Sequence, residues 1–87
     1  MENQKQPQLS DHIQLLALLN ATFLNCFYNI TVTRLSLRLQ GSFYEYPTIR
    51  TCYDIPVKFT RTDDGGTHYF EGNLIIEGMT LEIVLTT

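Results

Sequence analysis

Two histidines, two cysteines and one adjacent carboxylate pair are the residues of this 87-residue chain whose chemistry suits catalysis or metal binding. A catalytic nucleophile needs a nearby base and a group that orients the base. His12 falls in the first turn of a predicted helix and His68 beside a predicted hairpin turn, and neither has a matching partner in sequence. Both read as solvated surface residues. With Asp64 they exhaust the catalytic candidates, so the expectation is a protein that is not an enzyme.

The run Asp63, Asp64, Gly65, Gly66 resembles a cation-binding turn only superficially, because a hard cation takes several more oxygen ligands than this loop offers. Hairpin chemistry accounts for it, and no metal site is expected. Cys26 and Cys52 stand in no CxxC or other ligand-like spacing and read as free thiols. The glycines form neither a Walker nor a dinucleotide fingerprint, so no cofactor is expected. What remains is surface. The loop Gly41 to Pro47 places Phe43, Tyr44 and Tyr46 within four positions, and three aromatics so close supply contact area at small entropic cost. They mark a recognition loop, unless Phe43 and Tyr46 fold down to cap an open end of a small core.

Composition narrows the partners. A formal charge of −3 with six Lys and Arg lacks the basic stripe that a nucleic-acid backbone requires, and is too slight for an acidic mimic of DNA. No stretch approaches the ~18 apolar residues of a membrane span, and the segment Met1 to Gln8 is polar, so a soluble cytoplasmic protein is expected. Asn20 and Asn29 begin Asn-x-Thr triplets, but the first lies inside the predicted helix and no secretory signal precedes it. A chain of this length forms one domain of marginal stability, roughly 5 kcal/mol, which oligomerisation would help by covering apolar area.

The elements that position these residues follow from periodicity. Residues 1–8 are polar and Gln-rich and predict a disordered tail ahead of a single domain at 9–87. Ser10 is a helix cap, and Asp11 suits the positive end of the helix dipole. From Asp11 to about Tyr28, Ile13, Leu16, Leu19, Phe23, Leu24 and Phe27 recur at spacings of three and four and predict one long amphipathic helix. Its apolar arc is broad, and Leu18 lies outside it among polar residues.

Beyond Asn29 the period falls to two. A first strand is predicted near 31–40, with a bulge or bend at Thr33 where the apolar parity switches. A second spans Ile49 to Phe59, interrupted at Pro56. Type I′ turns at Asp64-Gly65 and Glu77-Gly78 set the remaining registers: Phe59 with Phe70, Val57 with Gly72 and Ile55 with Leu74, then Ile76 with Met79, Leu74 with Leu81 and Phe70 with Leu85. Both registers put the large apolar residues on one face. The predicted fold class is therefore α+β, with one N-terminal amphipathic helix packed on a four-stranded antiparallel meander. In that fold Cys26 on the helix and Cys52 on the far face of the sheet do not meet.

The last strand, Met79 to Thr87, carries Glu82 as its single charge and no proline. At the edge of a meander it would be an unguarded row of backbone groups. It calls for a second copy of the chain, a partner's added strand, or the first strand of a reordered sheet. The functional expectation is a small non-enzymatic protein-binding module, a homodimer or higher assembly, that occupies a partner surface as inhibitors and accessory proteins do. Phe43, Tyr44, Tyr46, Leu18 and Glu82 are its candidate binding residues. The alternative is a small-molecule binder with a pocket between helix and sheet lined by Phe23, Phe27, Tyr53, Phe59 and Phe70.

Overall fold

The computed structural model describes residues 7–87, so most of the expected tail, residues 1–6, lies outside the described residues. Three short helices cover one face of a five-stranded sheet. The order along the chain is α1 (Leu9–Leu18), α2 (Ala21–Leu24), β1 (Phe27–Val32), β2 (Leu37–Ser42), a 3₁₀ turn (Phe43–Glu45), α3 (Tyr46–Cys52), β3 (Lys58–Thr62), β4 (His68–Ile76) and β5 (Met79–Thr86).

Across the sheet the order is β1-β2-β5-β4-β3. β2 and β5 run parallel and the other pairs antiparallel. The sheet is thus mixed and five-stranded, which corrects the expectation of a four-stranded antiparallel meander beneath one long helix. The correction has three local causes.

First, the helical run divides. Leu19 is extended, with ψ at 151°, and the Asn20 carboxamide oxygen accepts from the amides of Thr22 and Phe23 at 2.7 and 3.3 Å to start α2 afresh. The cap of α1 also differs from expectation. Its amide-to-carboxylate bond runs from Gln8 N to Asp11 Oδ2 at 2.8 Å, and Ser10 lies inside the helix.

Second, the parity switch near Thr33 is a full chain reversal. The Thr33 hydroxyl accepts from the amides of Leu35 and Ser36, and Thr33 N donates to Ser36 O at 2.9 Å, closing a β1–β2 hairpin where a single bent strand was expected.

Third, residues 46–52 are helical. Pro47 opens α3, and burial of Ile49 against the core outweighs the strand preference of its neighbours. The extended segment that follows is pinned by Tyr46, whose hydroxyl donates to Ile55 O at 3.1 Å and accepts from Val57 N at 3.3 Å.

The β3–β4–β5 portion follows the expected registers, with Phe59 opposite Phe70, Ile76 opposite Met79, Leu74 opposite Leu81 and Phe70 opposite Leu85. Glu77 and Gly78, at φ 51° and 81°, make the tight turn that a two-residue hairpin needs. The first turn is different in kind. Only Gly66 has positive φ, at 88°, and Gly66 N donates to Asp63 O, so the loop is one residue longer than predicted. A bulge at Thr60 offsets the extra residue and restores the pairing of Phe59 with Phe70. The ladder ends at Lys58, so Val57 and Ile55 do not pair.

Leu37, Leu39, Leu81, Ile83 and Leu85 form the helix-facing side of the sheet and close on Leu15, Leu19, Phe23, Cys26, Ile49 and Ile55. Gly72 sits opposite Ile83 within this layer. A Cβ built there collides with the Pro56 carbonyl oxygen, because the segment leading into β3 crosses directly over it. Gly65, by contrast, has no neighbour closer than an Asp63 side-chain oxygen at 3.6 Å. Gly72→Ala is accordingly expected to lower the free energy of unfolding by about 2 to 3 kcal/mol, as overpacking does. Gly65→Ala should stay within about 0.5 kcal/mol, and urea titration of the two variants checks the contrast.

Candidate functional site

Among the described residues no cluster of three or more His, Cys, Asp or Glu side chains is placed to hold a metal ion. The two histidines have opposite surroundings. His68 is exposed, with Nδ1 2.8 Å from the Thr62 hydroxyl and its ring edge-on to Phe59. His12 is fully buried, contrary to its reading as a solvated residue: Nδ1 lies 3.3 Å from Gln8 O, and Nε2 has no hydrogen-bond partner.

Asp63 serves the hairpin. Its carboxylate accepts from the amides of Thr67 and Gly65 at 3.0 and 2.9 Å and from the Tyr69 hydroxyl at 3.1 Å, and Arg61 lies over the Tyr69 ring at 3.7 Å. The Thr67 amide, with the Tyr69 hydroxyl and Gly65 amide adding, holds the Asp63 carboxyl below its ordinary range against a smaller opposing effect of desolvation. The cysteines are free. Burial pushes the Cys26 thiol up, reinforced by the Glu45 carboxylate and the Cys52 sulfur, so it is protonated and unreactive at neutral pH. Cys52 is on α3, which packs on α2, and not on the far side of the sheet.

The aromatic loop separates into two parts. Phe43 stacks on Phe70 at 4.0 Å between centroids and on Tyr46 at 5.7 Å, and Phe59 meets Phe70 edge-on at 5.7 Å. Phe43 and Tyr46 therefore seal one end of the core, while Tyr44 stands 83% exposed. Glu82 lies on the middle strand of the sheet, between Arg38 of β2 and Asn73 of β4, and accepts from the Ser36 hydroxyl at 3.4 Å. Of the coverings considered for the last strand, the molecule takes the intramolecular one.

Leu18 is 78% exposed. With Leu15, Leu19, Tyr53, Ile76 and Met79 it lines a mainly apolar groove of about 220 Å³ between α1 and the β4–β5 turn, with Glu77 as its one charged wall. The polar face of the sheet holds a larger cleft, about 700 Å³, with Arg38, Lys58, Thr60, Glu71, Asn73 and Glu82 on its walls. Its walls carry both signs of charge, and the one fully buried polar side chain among the described residues, His12, is elsewhere. The space between helices and sheet is filled: Phe23 is fully buried there, edge-on to Phe27 and Tyr53 at 5.1 and 4.6 Å.

A surface that periodicity did not single out emerges at the two true sheet edges. β3 is guarded by Lys58, Arg61 and the bulge at Thr60. β1, with the sequence Phe-Tyr-Asn-Ile-Thr-Val, has an irregularity of its own at Tyr28 but carries no charge and no proline. Its aromatic and β-branched composition was the available signal, but the helical spacing of Phe23, Leu24 and Phe27 ran into it.

Two measurements test these assignments. His12→Leu removes a buried polar atom that has no partner, and is expected to raise thermal stability by about 1 kcal/mol. For Asp63 the folded-state carboxyl titrates below its unfolded value. Its stabilisation is therefore complete above the ordinary carboxylate range and disappears as pH falls through the folded value. Asp63→Asn should lower stability at pH 7 and converge on the native protein at low pH in parallel denaturation series.

No protein-family model matches the chain, and comparison with characterised proteins and with solved structures gives no significant match.

Proposed function

We propose that this chain is a non-enzymatic protein-binding module that assembles with copies of itself and acts by occupying a partner's surface. The observation that carries this reading is the surplus of exposed apolar side chains around α1. Leu18 lies on one flank, Leu9 and Ile13 on the other, on a domain whose core is already closed. Isolated exposed leucines are ordinary. Here Leu18 borders a groove whose floor is Leu15, Leu19, Ile76 and Met79, an anchor-and-pocket arrangement of the kind that concentrates binding energy.

Small-molecule binding is the weaker reading. Ligand pockets usually enclose ~300–1,000 Å³ and are lined mainly by apolar groups. The apolar groove, about 220 Å³, falls short in size, and the cleft on the sheet's polar face is open and charged. The aromatic residues that would line an internal pocket are packed against one another.

A photocrosslinking phenylalanine analogue at position 18, with the same analogue at position 64 on the hairpin turn as control, tests the module in lysate of the source cells. The expected result is a discrete protein adduct at position 18, absent at position 64 and reduced at least tenfold by Met79→Lys in the same groove. Equal labelling at both positions, or none at position 18, would overturn the proposal.

A further inference from the structure

We infer that β1 is the self-association edge, pairing antiparallel with β1 of a second copy about a two-fold axis at Ile30, so that two sheets join into one of ten strands. This rests on the reading of the chain as a protein-binding module and names the surface by which it meets itself.

The backbone pattern points the ladder outward. The bond from Thr33 N to Ser36 O makes these residues a hydrogen-bonded pair at the hairpin turn. Antiparallel strands alternate such pairs with non-bonded ones. Thr31 opposite Arg38 and Asn29 opposite Gln40 are therefore the next bonded pairs, and the amides and carbonyls of Ile30 and Val32 face away from β2. An axis at Ile30 sets Ile30 against Ile30 and keeps the ladder within the regular stretch Asn29 to Val32, with Val32 of each copy reaching the other's Tyr28, where the irregularity in β1 ends it. The edge is complementary to itself.

Charge selects a second copy as the occupant. The chain carries −3 overall, so a second copy meets least repulsion at a surface free of charge. Residues 26–33 have none, whereas the opposite edge presents Lys58 and Arg61. The neighbouring helix continues the uncharged surface. The Asp11, Gln14 and Leu18 flank of α1 faces the β4–β5 turn, and β1, the edge strand two places from β5, is in contact with α1. The opposite flank carries Leu9 and Ile13, both exposed, and Ile30 of β1, which α1 contacts, is 37% exposed on the helix-facing side. A six-residue strand is only about 20 Å long, and a stable interface covers about 800 Å² per partner. The flanks of the two α1 helices supply apolar area that the strands alone lack.

Light scattering on a sizing column over a concentration series tests the pairing, together with amide hydrogen exchange. The native chain is expected at twice its monomer mass, with the Ile30 and Val32 amides protected although they face away from β2. Ile30→Lys sets two like charges on the axis and should yield a folded monomer with those amides exchanging freely; Phe59→Lys at the guarded edge should leave the dimer intact. A native monomer throughout the series, or a dimer that survives Ile30→Lys with unprotected β1 amides, would overturn this inference. If Ile30→Lys fails to fold, the native exchange pattern decides alone: fast exchange at Ile30 and Val32 rejects the interface. Adduct formation at position 18 is read separately, so loss of the dimer and loss of the binding module are distinguishable outcomes.

Discussion

The parallel pairing of β2 with β5 is the contact on which the rest of this fold depends. It sets Leu37 beside Leu81, Leu39 beside Ile83 and Gly41 beside Leu85. The last strand thereby becomes the centre of the sheet, joining an N-terminal hairpin to a C-terminal meander. The apolar row so formed is the floor on which all three helices rest. It also decides which strands are left at the margins. With β5 enclosed on both sides, β1 and β3 become the edges, and each edge has a different chemistry.

A parallel pair needs a crossover that returns the chain to its starting end. Here the return is made by the 3₁₀ turn, α3 and the extended segment to Val57, and two tyrosines hold it in place. Tyr46 fixes the backbone at Ile55 and Val57, while the Tyr53 ring packs on Phe23 and its hydroxyl accepts from Asn20 N at 3.2 Å. The same connection brings Phe43 onto Phe70. Two rings of the aromatic loop are thus consumed by closure of the core, and Tyr44 alone projects. Interior packing and surface display compete for the same short segment, and packing takes most of it because apolar area removed from water contributes more than contact with solvent.

The surfaces that remain are defined by what they lack. The polar face of the sheet mixes Arg38, Lys58, Glu71 and Glu82 around an open cleft, a solvated arrangement in which neither sign prevails. α1 has apolar residues on both flanks because its buried line, His12 and Leu15, is narrower than its apolar arc. A sheet five strands wide covers one line of a ten-residue helix and leaves the shoulders exposed. Leu18 and Ile13 are the two shoulders, one beside the β4–β5 groove and one on the opposite flank.

Residue types and spacing alone determined the α+β class, the apolar parity of the last two strands and the tight turn at Glu77-Gly78, while Phe59 met Phe70 as expected only because the bulge at Thr60 offsets a longer turn than predicted. These are local matters, set by turn chemistry and by the two-residue repeat of side chains along a strand. They also exposed Leu18 as an apolar residue out of place on its helix. Only the tertiary structure decided that Asn20 restarts the helix, that Thr33 reverses the chain, that Ile49 sits in a helix and that β5 lies in the middle. A non-local pairing of strands far apart in sequence leaves no mark on the spacing of either one. The weakly guarded last strand and its continuous apolar run Ile83, Val84, Leu85 were its traces: Val84, on the polar face, is only 4% exposed, as suits a strand enclosed on both sides. The candidate interface followed the same division, because β1 became an edge only when β5 ceased to be one.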